Sequence, residues 1–237
     1  MWSLSRDQYE IAKLIIESLS GQPDMFNKML TQRDNDGRNC LMLALGREQY
    51  EIAVQIIQSL SGQPGMLNEL LTQQNNDGYN CLMWTLDREQ SDIAVLIIRY
   101  LSEYPDVLNE LLTHQDSFKW NCLMSTLNTG QPDIAKLIIE YLSGQPETLK
   151  TVLTQYNENG GNCLMSALSA EQTNIAVQMI KLLSGYPDVL NEILTKRDSS
   201  GHSCQSIIDS DPNYNDVANA IKEALNQRDQ ENHYYKP

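Results

Sequence analysis

Apolar residues recur along this chain in short stripes that each fit one face of a helix. The clearest stripe has members spaced i, i+1, i+4, i+5 and i+8, namely Ile52, Ala53, Ile56, Ile57 and Leu60. A shorter stripe precedes it, at Leu41, Met42 and Leu45, and another follows it, at Met66, Leu67, Leu70 and Leu71. Because this spacing places apolar side chains on one helical face, the pattern predicts three helices in succession.

The three stripes repeat with a period of 41 residues. A cysteine marks the same position in five copies, at Cys40, Cys81, Cys122, Cys163 and Cys204. A proline keeps the same step, at Pro23, Pro64, Pro105, Pro146 and Pro187. A unit of this size cannot bury its apolar face alone, so neighbouring units stack into one core. We therefore predict an all-α helical repeat solenoid with about three helices per 41-residue repeat.

Turn and cap residues separate the three predicted helices. In the first full copy, Asp36-Gly37 predicts a turn, and Asn39 is a candidate N-cap for the short first helix. Gly62 is expected to end the second helix in a left-handed cap, and Pro64 suits the first turn of the third.

The order of these residues resembles the ankyrin repeat. The matching residues are Asp34-x-x-Gly37-x-Asn39-Cys40-Leu41-Met42-x-Ala44 and then Ile52-Ala53-x-x-Ile56-Ile57. The family has Asp-x-x-Gly-x-Thr-Pro-Leu-His-x-Ala and then Ile-Val-x-x-Leu-Leu. The copies here depart from it in using Asn, Cys and Met for Thr, Pro and His, and in adding a third helix to the family's unit of about 33 residues. An armadillo-like or HEAT-like solenoid is the alternative fold, but the Asp-x-x-Gly turn favours ankyrin.

The predicted organisation is a single ankyrin-like solenoid over residues 1–225. Residues 1–33 are expected to form an N-terminal cap and residues 198–225 a C-terminal cap, between four full repeats at 34–74, 75–115, 116–156 and 157–197. In the last copy the apolar Leu-Met pair becomes Gln205 and Ser206, as the exposed end of a solenoid requires. Residues 226–237 lack apolar periodicity and are predicted to be a flexible tail.

Charge and composition exclude several functional classes. The 237-residue chain has a formal net charge of −14 and an isoelectric point of about 4.5, which argues against nucleic-acid binding. No apolar run approaches the length of about 18 residues that a membrane-spanning helix needs, so no membrane insertion is expected. The N-terminus lacks the basic segment of a classical signal peptide. Five cysteines without close pairs favour a reducing, cytoplasmic compartment.

The sequence offers little that points to catalysis. Equivalent cysteines of successive repeats are expected roughly 10 Å apart, too far to share a metal or a disulfide. His202 and Cys204 are close in sequence, but the first is expected in a loop and the second in the core. There is no glycine-rich phosphate loop and no repeated pair of carboxylates. We predict no catalytic residue, no metal site and no cofactor, and hence a protein that is not an enzyme.

The ankyrin resemblance also implies a binding strip made of loop tips and first-helix ends. Its variable positions are the two residues after the Asp, the residue after the Gly, and the last two residues of the first helix. Only one copy carries Phe118-Lys119-Trp120 where its sisters have Asp-Gly or Asn-Gly and one more residue. The candidate partner-binding residues are therefore Arg38, Arg47, Tyr79, Trp84, Arg88, Phe118, Trp120 and Asn128. Large aromatics with arginine near them are typical of interface anchors.

A structural role is the alternative for the aromatic candidates. Phe118 or Trp120 could fold over the neighbouring loop tip, and the position of Trp84 is partly core in the family. The expected function is a non-catalytic protein-protein interaction module with a protein partner. An enzyme, or a regulator of enzymes, that uses the repeats as a scaffold is the alternative function. The chain also resembles ankyrin-like effectors that intracellular bacteria deliver into host cells, which implies a non-classical route into the host cytosol.

Overall fold

The computed structural model describes residue 14, residues 23–60 and residues 62–234, and the side chains among these up to residue 226. These residues form 15 α-helices and one 3-10 turn, without a β-strand. The prediction of an all-α protein is thus confirmed. The predicted N-terminal cap, residues 1–33, lies outside the described residues except for Leu14 and residues 23–33.

Each of the four full copies contains three helices in the order that the stripes predicted. Helix α1 (Pro23–Leu30) precedes the first full copy, which contains α2 (Cys40–Gly46), α3 (Tyr50–Ser59) and α4 (Pro64–Thr72). The second copy contains α5 (Cys81–Asp87), α6 (Ser91–Leu101) and α7 (Pro105–Thr113), and the third contains α8 (Cys122–Asn128), α9 (Pro132–Ser143) and α10 (Pro146–Thr154). The fourth copy contains α11 (Cys163–Ser169), α12 (Thr173–Leu182) and α13 (Pro187–Thr195). The last copy consists of α14 (Cys204–Ser210), the 3-10 turn (Pro212–Tyr214) and α15 (Asn215–Tyr234).

The chain divides into two compact units, with the boundary between Ser117 and Phe118. In the first unit, the first helix of one copy packs on the first helix of the next (α2 on α5), and the third helices do likewise (α4 on α7). In the second unit the same stacking joins α8 to α11, α11 to α14 and α10 to α13. Equivalent helices therefore stack inside each unit, whereas a single solenoid over residues 1–225 stays a prediction.

The asparagine of the repeated Asn-Cys-Leu-Met motif links the first helix of each copy to the third. Its Oδ1 accepts the backbone N–H three residues later at 2.9–3.0 Å, in Asn39, Asn80, Asn121 and Asn162. Its Nδ2 donates to a carbonyl in the last turn of the third helix at 2.7–3.1 Å, on Leu70, Leu111, Val152 and Ile193 respectively. One buried amide thus satisfies an N–H and a C=O that helix ends leave unpaired.

The cysteine that follows this asparagine is a buried packing residue. All five thiols are free, and all five side chains are buried. Cys163 and Cys204 lie 3.6 and 3.4 Å from the Oδ1 of the asparagine in the preceding copy, to which the thiols can donate. Burial raises the pKa of Cys40, Cys163 and Cys204 to about 12. These thiols therefore stay protonated near neutral pH and make poor nucleophiles.

The last copy is adapted to the end of the stack. Gln205 and Ser206 are partly exposed where the sister copies bury Leu and Met, as the sequence predicted. Ser203 replaces the asparagine and caps α14 by accepting from the N–H of Ser206 at 3.1 Å. The helix α15 packs against α12 and continues as backbone to Tyr234. The predicted flexibility of residues 226–237 stays a prediction, because a helical backbone does not by itself report motion.

Candidate functional site

One side chain at the base of the loop tip fixes the turn in four of the copies. In the first and fourth full copies and in the last copy, its Oδ1 accepts the backbone N–H groups two and four residues later at 2.8–3.0 Å; the residues are Asp34, Asn157 and Asp198. Asn75 does the same in the second copy, at 3.0 and 2.9 Å. The residue after the glycine is the second of these donors, so its backbone is held in a defined position.

Neighbouring loop tips are also joined by backbone hydrogen bonds. In the first unit, the N–H of Asn76 donates to the carbonyl of Asp36 at 2.9 Å. In the second unit, the N–H of Glu158 donates to the carbonyl of Phe118 at 3.0 Å, and that of Ser199 to Asn159 at 2.8 Å. The loop with the unusual sequence Phe118-Lys119-Trp120 therefore keeps the backbone pairing of the regular loops.

Lys119 occupies a left-handed backbone position that the other copies give to glycine. Its φ is 62°, against 78–84° for Gly37, Gly78, Gly160 and Gly201. A residue with a Cβ in this region costs on the order of 1 kcal/mol. The sequence-based view that this copy replaced a turn glycine at a left-handed position is confirmed, and the turn itself is retained at that cost.

The side chains on either side of Lys119 differ in exposure. Phe118 is 50% exposed, which is high for a phenylalanine. Trp120 is half-buried and lines an open surface cavity of about 270 Å³ in the second unit. Neither residue is sealed into the core, so both faces of the turn present aromatic surface to solvent.

This cavity lies on the positions that the resemblance assigned to partner binding. The lining residues from those positions are Trp120, Asn128, Asn159, Gly161, Ser169 and Ala170. The remaining lining residues are Asn157, Met165, Ser166, Asp198 and Ile207. The fourth copy carries small residues at Gly161, Ser166, Ser169 and Ala170, and their size leaves the space open. These small residues are visible in the sequence, but they were not predicted to matter, because large side chains were taken as the sign of a binding site.

In the first unit, large side chains fill the corresponding positions. Trp84 is 6% exposed, and its indole N–H donates to the carbonyl of Met42 at 2.8 Å. The ring packs against Gly46, where an added Cβ would lie 3.1 Å from the indole nitrogen. The guanidinium carbon of Arg88 lies 3.9 Å from the Trp84 ring centroid, and that of Arg38 lies 5.8 Å away. The structure thus places Trp84 in the packed interior, the alternative that the sequence left open.

Arg38 also binds the carboxylate at the base of its own loop. Its Nε donates to Asp34 Oδ2 at 2.9 Å, and a terminal nitrogen lies 2.8 Å from the same oxygen. Arg38 therefore contacts a carboxylate and an indole ring at once. Arg47, another candidate, is exposed immediately after α2.

Tyr79 lies among carboxylates. It is half-buried, and burial, followed by the charges of Asp87, Asp116 and Asp77, raises its pKa to about 12. The phenol therefore stays neutral and can donate a hydrogen bond at any physiological pH.

Five of the eight candidate residues fall into two groups, one in each unit. Arg38, Trp84 and Arg88 form a stack of charged and aromatic side chains in the first unit, while Trp120 and Asn128 line the cavity of the second. Among the described residues, no group of three His, Cys, Asp or Glu side chains is placed to hold a metal ion. No helix in the described part of the chain is long and apolar enough to cross a membrane.

No protein-family model matches this chain, and a search of curated proteins found no match. The resemblance to the ankyrin repeat stays a prediction from the residues themselves.

Proposed function

We propose that this protein is a non-catalytic interaction module that binds a partner protein along its loop tips and first-helix ends. The single observation that carries the proposal is the cavity of the second unit, with Trp120 and Asn128 in its lining and the exposed Phe118 in the adjoining turn. The positions around it vary among the copies, while the flanking Asn-Cys-Leu-Met motif is identical in the four full copies.

The cavity is large enough to take a side chain of a partner, and its volume lies at the lower end of the range of small-molecule pockets. Pockets for drug-sized ligands and cofactors measure about 300–1,000 Å³, and this cavity measures about 270 Å³. A partner residue inserted beside Trp120 would bury aromatic surface at the centre of a contact, where interface energy concentrates.

The turn that carries Phe118 and Trp120 supports the same proposal. Backbone strain recurs at binding and catalytic sites. Glu48, Glu89 and Glu171 also have a positive φ, where packing imposes it, so the strain at Lys119 supports the proposal only together with the exposed aromatic side chain beside it. Lys119 keeps the left-handed turn with a φ of 62° although glycine occupies the position in the other copies. We infer that the exposed aromatic side chains compensate for the strain in the bound state, where a buried aromatic anchor contributes about 2 kcal/mol or more.

Site-specific crosslinking tests this function. A photoreactive amino acid at position 118 is expected to crosslink one partner protein in cells, whereas the same amino acid at position 143, an exposed site at the end of α9, is not. With the purified partner, Trp120→Ala is expected to raise the dissociation constant at least about tenfold. Tyr186→Ala, which removes another half-buried aromatic residue outside the strip, serves as the control.

A stability measurement separates binding from folding in this test. Because Trp120 is only half-buried, its replacement should cost on the order of 1 kcal/mol of unfolding free energy. A loss of several kcal/mol would assign Trp120 a packing role and remove the main support for the proposal. The expectation of an effector acting on host proteins stays a prediction, which the identity of the crosslinked partner would test.

A further inference from the structure

The cavity of the second unit combines one aromatic wall with one negative charge. Among its lining residues, Trp120 is the aromatic one and Asp198 is the charged one, and no lysine or arginine lines it. The other polar groups are asparagine amides and serine hydroxyls, including Asn128, Ser166 and Ser169. An indole ring attracts cations and a carboxylate pairs with them.

The carboxylate of Asp198 can pair with a ligand without giving up its role in the loop. Its Oδ1 accepts the two backbone N–H groups that hold the turn, from Ser200 and His202. Its Oδ2 lies 3.9 Å from His202 Nδ1, longer than a hydrogen bond, and the side chain is 24% exposed. Asn75 and Asn157 hold the same turn through an amide oxygen, so the turn does not need a charge.

The first unit shows how an arginine contacts a loop-base carboxylate and an indole ring, although at other positions of the repeat, because Trp120 itself lies in the column of Arg38. There Arg38 pairs with the loop-base Asp34 through the oxygen that the turn does not use, and its guanidinium lies 5.8 Å from the Trp84 ring centroid. Arg88 stacks on the same ring at 3.9 Å. The columns that hold Arg38 and Arg88 have Gly161 and Ala170 in the fourth copy, so the second unit has open space where the first has guanidinium groups.

We propose that this cavity binds an arginine side chain of the partner protein, between Trp120 and Asp198. A guanidinium is planar, so it can stack on an indole while two of its N–H groups donate to Oδ2 of Asp198, as Arg38 does with Oδ2 of Asp34. The ammonium of lysine has no planar face for this stacking. The chain's net charge of −14 favours approach by a basic segment. The inference rests on the proposed interaction function and adds the chemistry of the contact.

Titration of the full chain with N-acetyl-arginine amide tests the inference. The chain has three tryptophans, so up to three indole N–H signals are expected in nuclear magnetic resonance spectra, and Trp120→Phe would assign the relevant one. Arginine amide should shift the Trp120 signal with an affinity on the order of millimolar. The neutral isostere N-acetyl-citrulline amide should not shift it, and N-acetyl-lysine amide should bind more weakly.

Two variants connect this response to the cavity. Asp198→Asn copies the amide found at Asn75 and Asn157, so it should fold normally and weaken arginine binding about threefold or more. Gly161→Tyr copies Tyr79, which follows the same Asn-x-x-Gly turn, and should abolish binding by filling the cavity. No shift of the Trp120 signal, an equal response to citrulline or lysine, or an unchanged affinity in Asp198→Asn would overturn the inference.

The crosslinking experiment distinguishes this failure from failure of the proposed function. If position 118 crosslinks a partner but arginine amide does not bind, the interaction function stands and the arginine pocket is wrong. If arginine amide binds as described but no partner crosslinks, the pocket chemistry stands and the interaction function is wrong.

Discussion

Replacement of Asn162 should separate the two tasks of the repeated asparagine. Its Oδ1 accepts the N–H of Met165 at 2.9 Å, and its Nδ2 donates to the carbonyl of Ile193 at 3.0 Å. Alanine removes both bonds, together with the weaker contact that Oδ1 accepts from the Cys204 thiol at 3.4 Å. Loss of the cap costs about 1 kcal/mol, and leaving the buried carbonyl unsatisfied costs about 1–3 kcal/mol. We expect Asn162→Ala to lower the free energy of unfolding by about 2–4 kcal/mol.

Asn162→Ser isolates the second task. A serine at this position can cap the helix, as Ser203 does in the last copy, but it cannot reach the third helix. The expected loss is therefore about 1–3 kcal/mol, smaller than the loss in the alanine variant. Urea denaturation followed by circular dichroism measures both values. Asn191→Ala, at an exposed site on α13, should stay within about 0.5 kcal/mol.

Two outcomes would refute this reasoning. If Asn162→Ser is as destabilising as Asn162→Ala, the cap contributes nothing. If both variants cost less than about 1 kcal/mol, the bond to Ile193 does not hold the third helix against the first.

Three further predictions concern backbone strain, burial and close packing. Lys119→Gly should raise the free energy of unfolding by about 0.5–1 kcal/mol, because the relief of backbone strain exceeds the cost of the added entropy of the unfolded chain. Lys119→Ala should not raise the free energy of unfolding, because alanine keeps the Cβ that causes the strain. Burial raises the pKa of Cys163 and Cys204 from about 9 to about 12, so the free energy of unfolding should be constant with respect to these thiols below about pH 9 and should fall as the pH rises toward 12. A free energy of unfolding that does not change over that range would contradict this prediction. Gly46→Ala should destabilise the first unit by about 1 kcal/mol or more in thermal melts, since the new Cβ would press on the indole of Trp84.

Much of the fold could be read from the sequence because its signals are local. Apolar spacing identified the three helices of each copy, and the structure begins them at Cys40, Tyr50 and Pro64 in the first full copy. Helix caps and left-handed glycines have strong preferences of their own, so Asn39 and Gly37 were identified as well. The left-handed cap predicted at Gly62 was wrong, because the second helix already ends at Ser59 with Leu60 as its C-cap and Gly62 does not have a positive φ. The unexpected left-handed positions are Glu48, Glu89 and Glu171, between the first and second helices. Glutamate has no preference for that region, so tertiary packing imposes the conformation there.

The sequence predicted which positions form the candidate site, but not which of their side chains are packed and which border open space. The repeat register placed Trp84 and Trp120 on one predicted strip, and only the ankyrin resemblance, in which the position of Trp84 is partly core, favoured burial of Trp84 over burial of Trp120. The structure buries Trp84 because Gly46 leaves room for its ring and the carbonyl of Met42 accepts its N–H. It leaves Trp120 half-buried beside a cavity bounded by small residues such as Gly161.

The sequence by itself determined the repeat period, the helix order, the turn at each loop tip and the burial of the cysteines, because each depends on residues close in the chain or on a pattern repeated in every copy. Only the tertiary structure decided which side chains fill the variable strip and where it stays open. Whether a tryptophan is packed or accessible depends on the volume left by residues about 40 positions away in the neighbouring copy, such as Gly46 opposite Trp84. That volume is a property of the stacked copies and of no single stretch of chain.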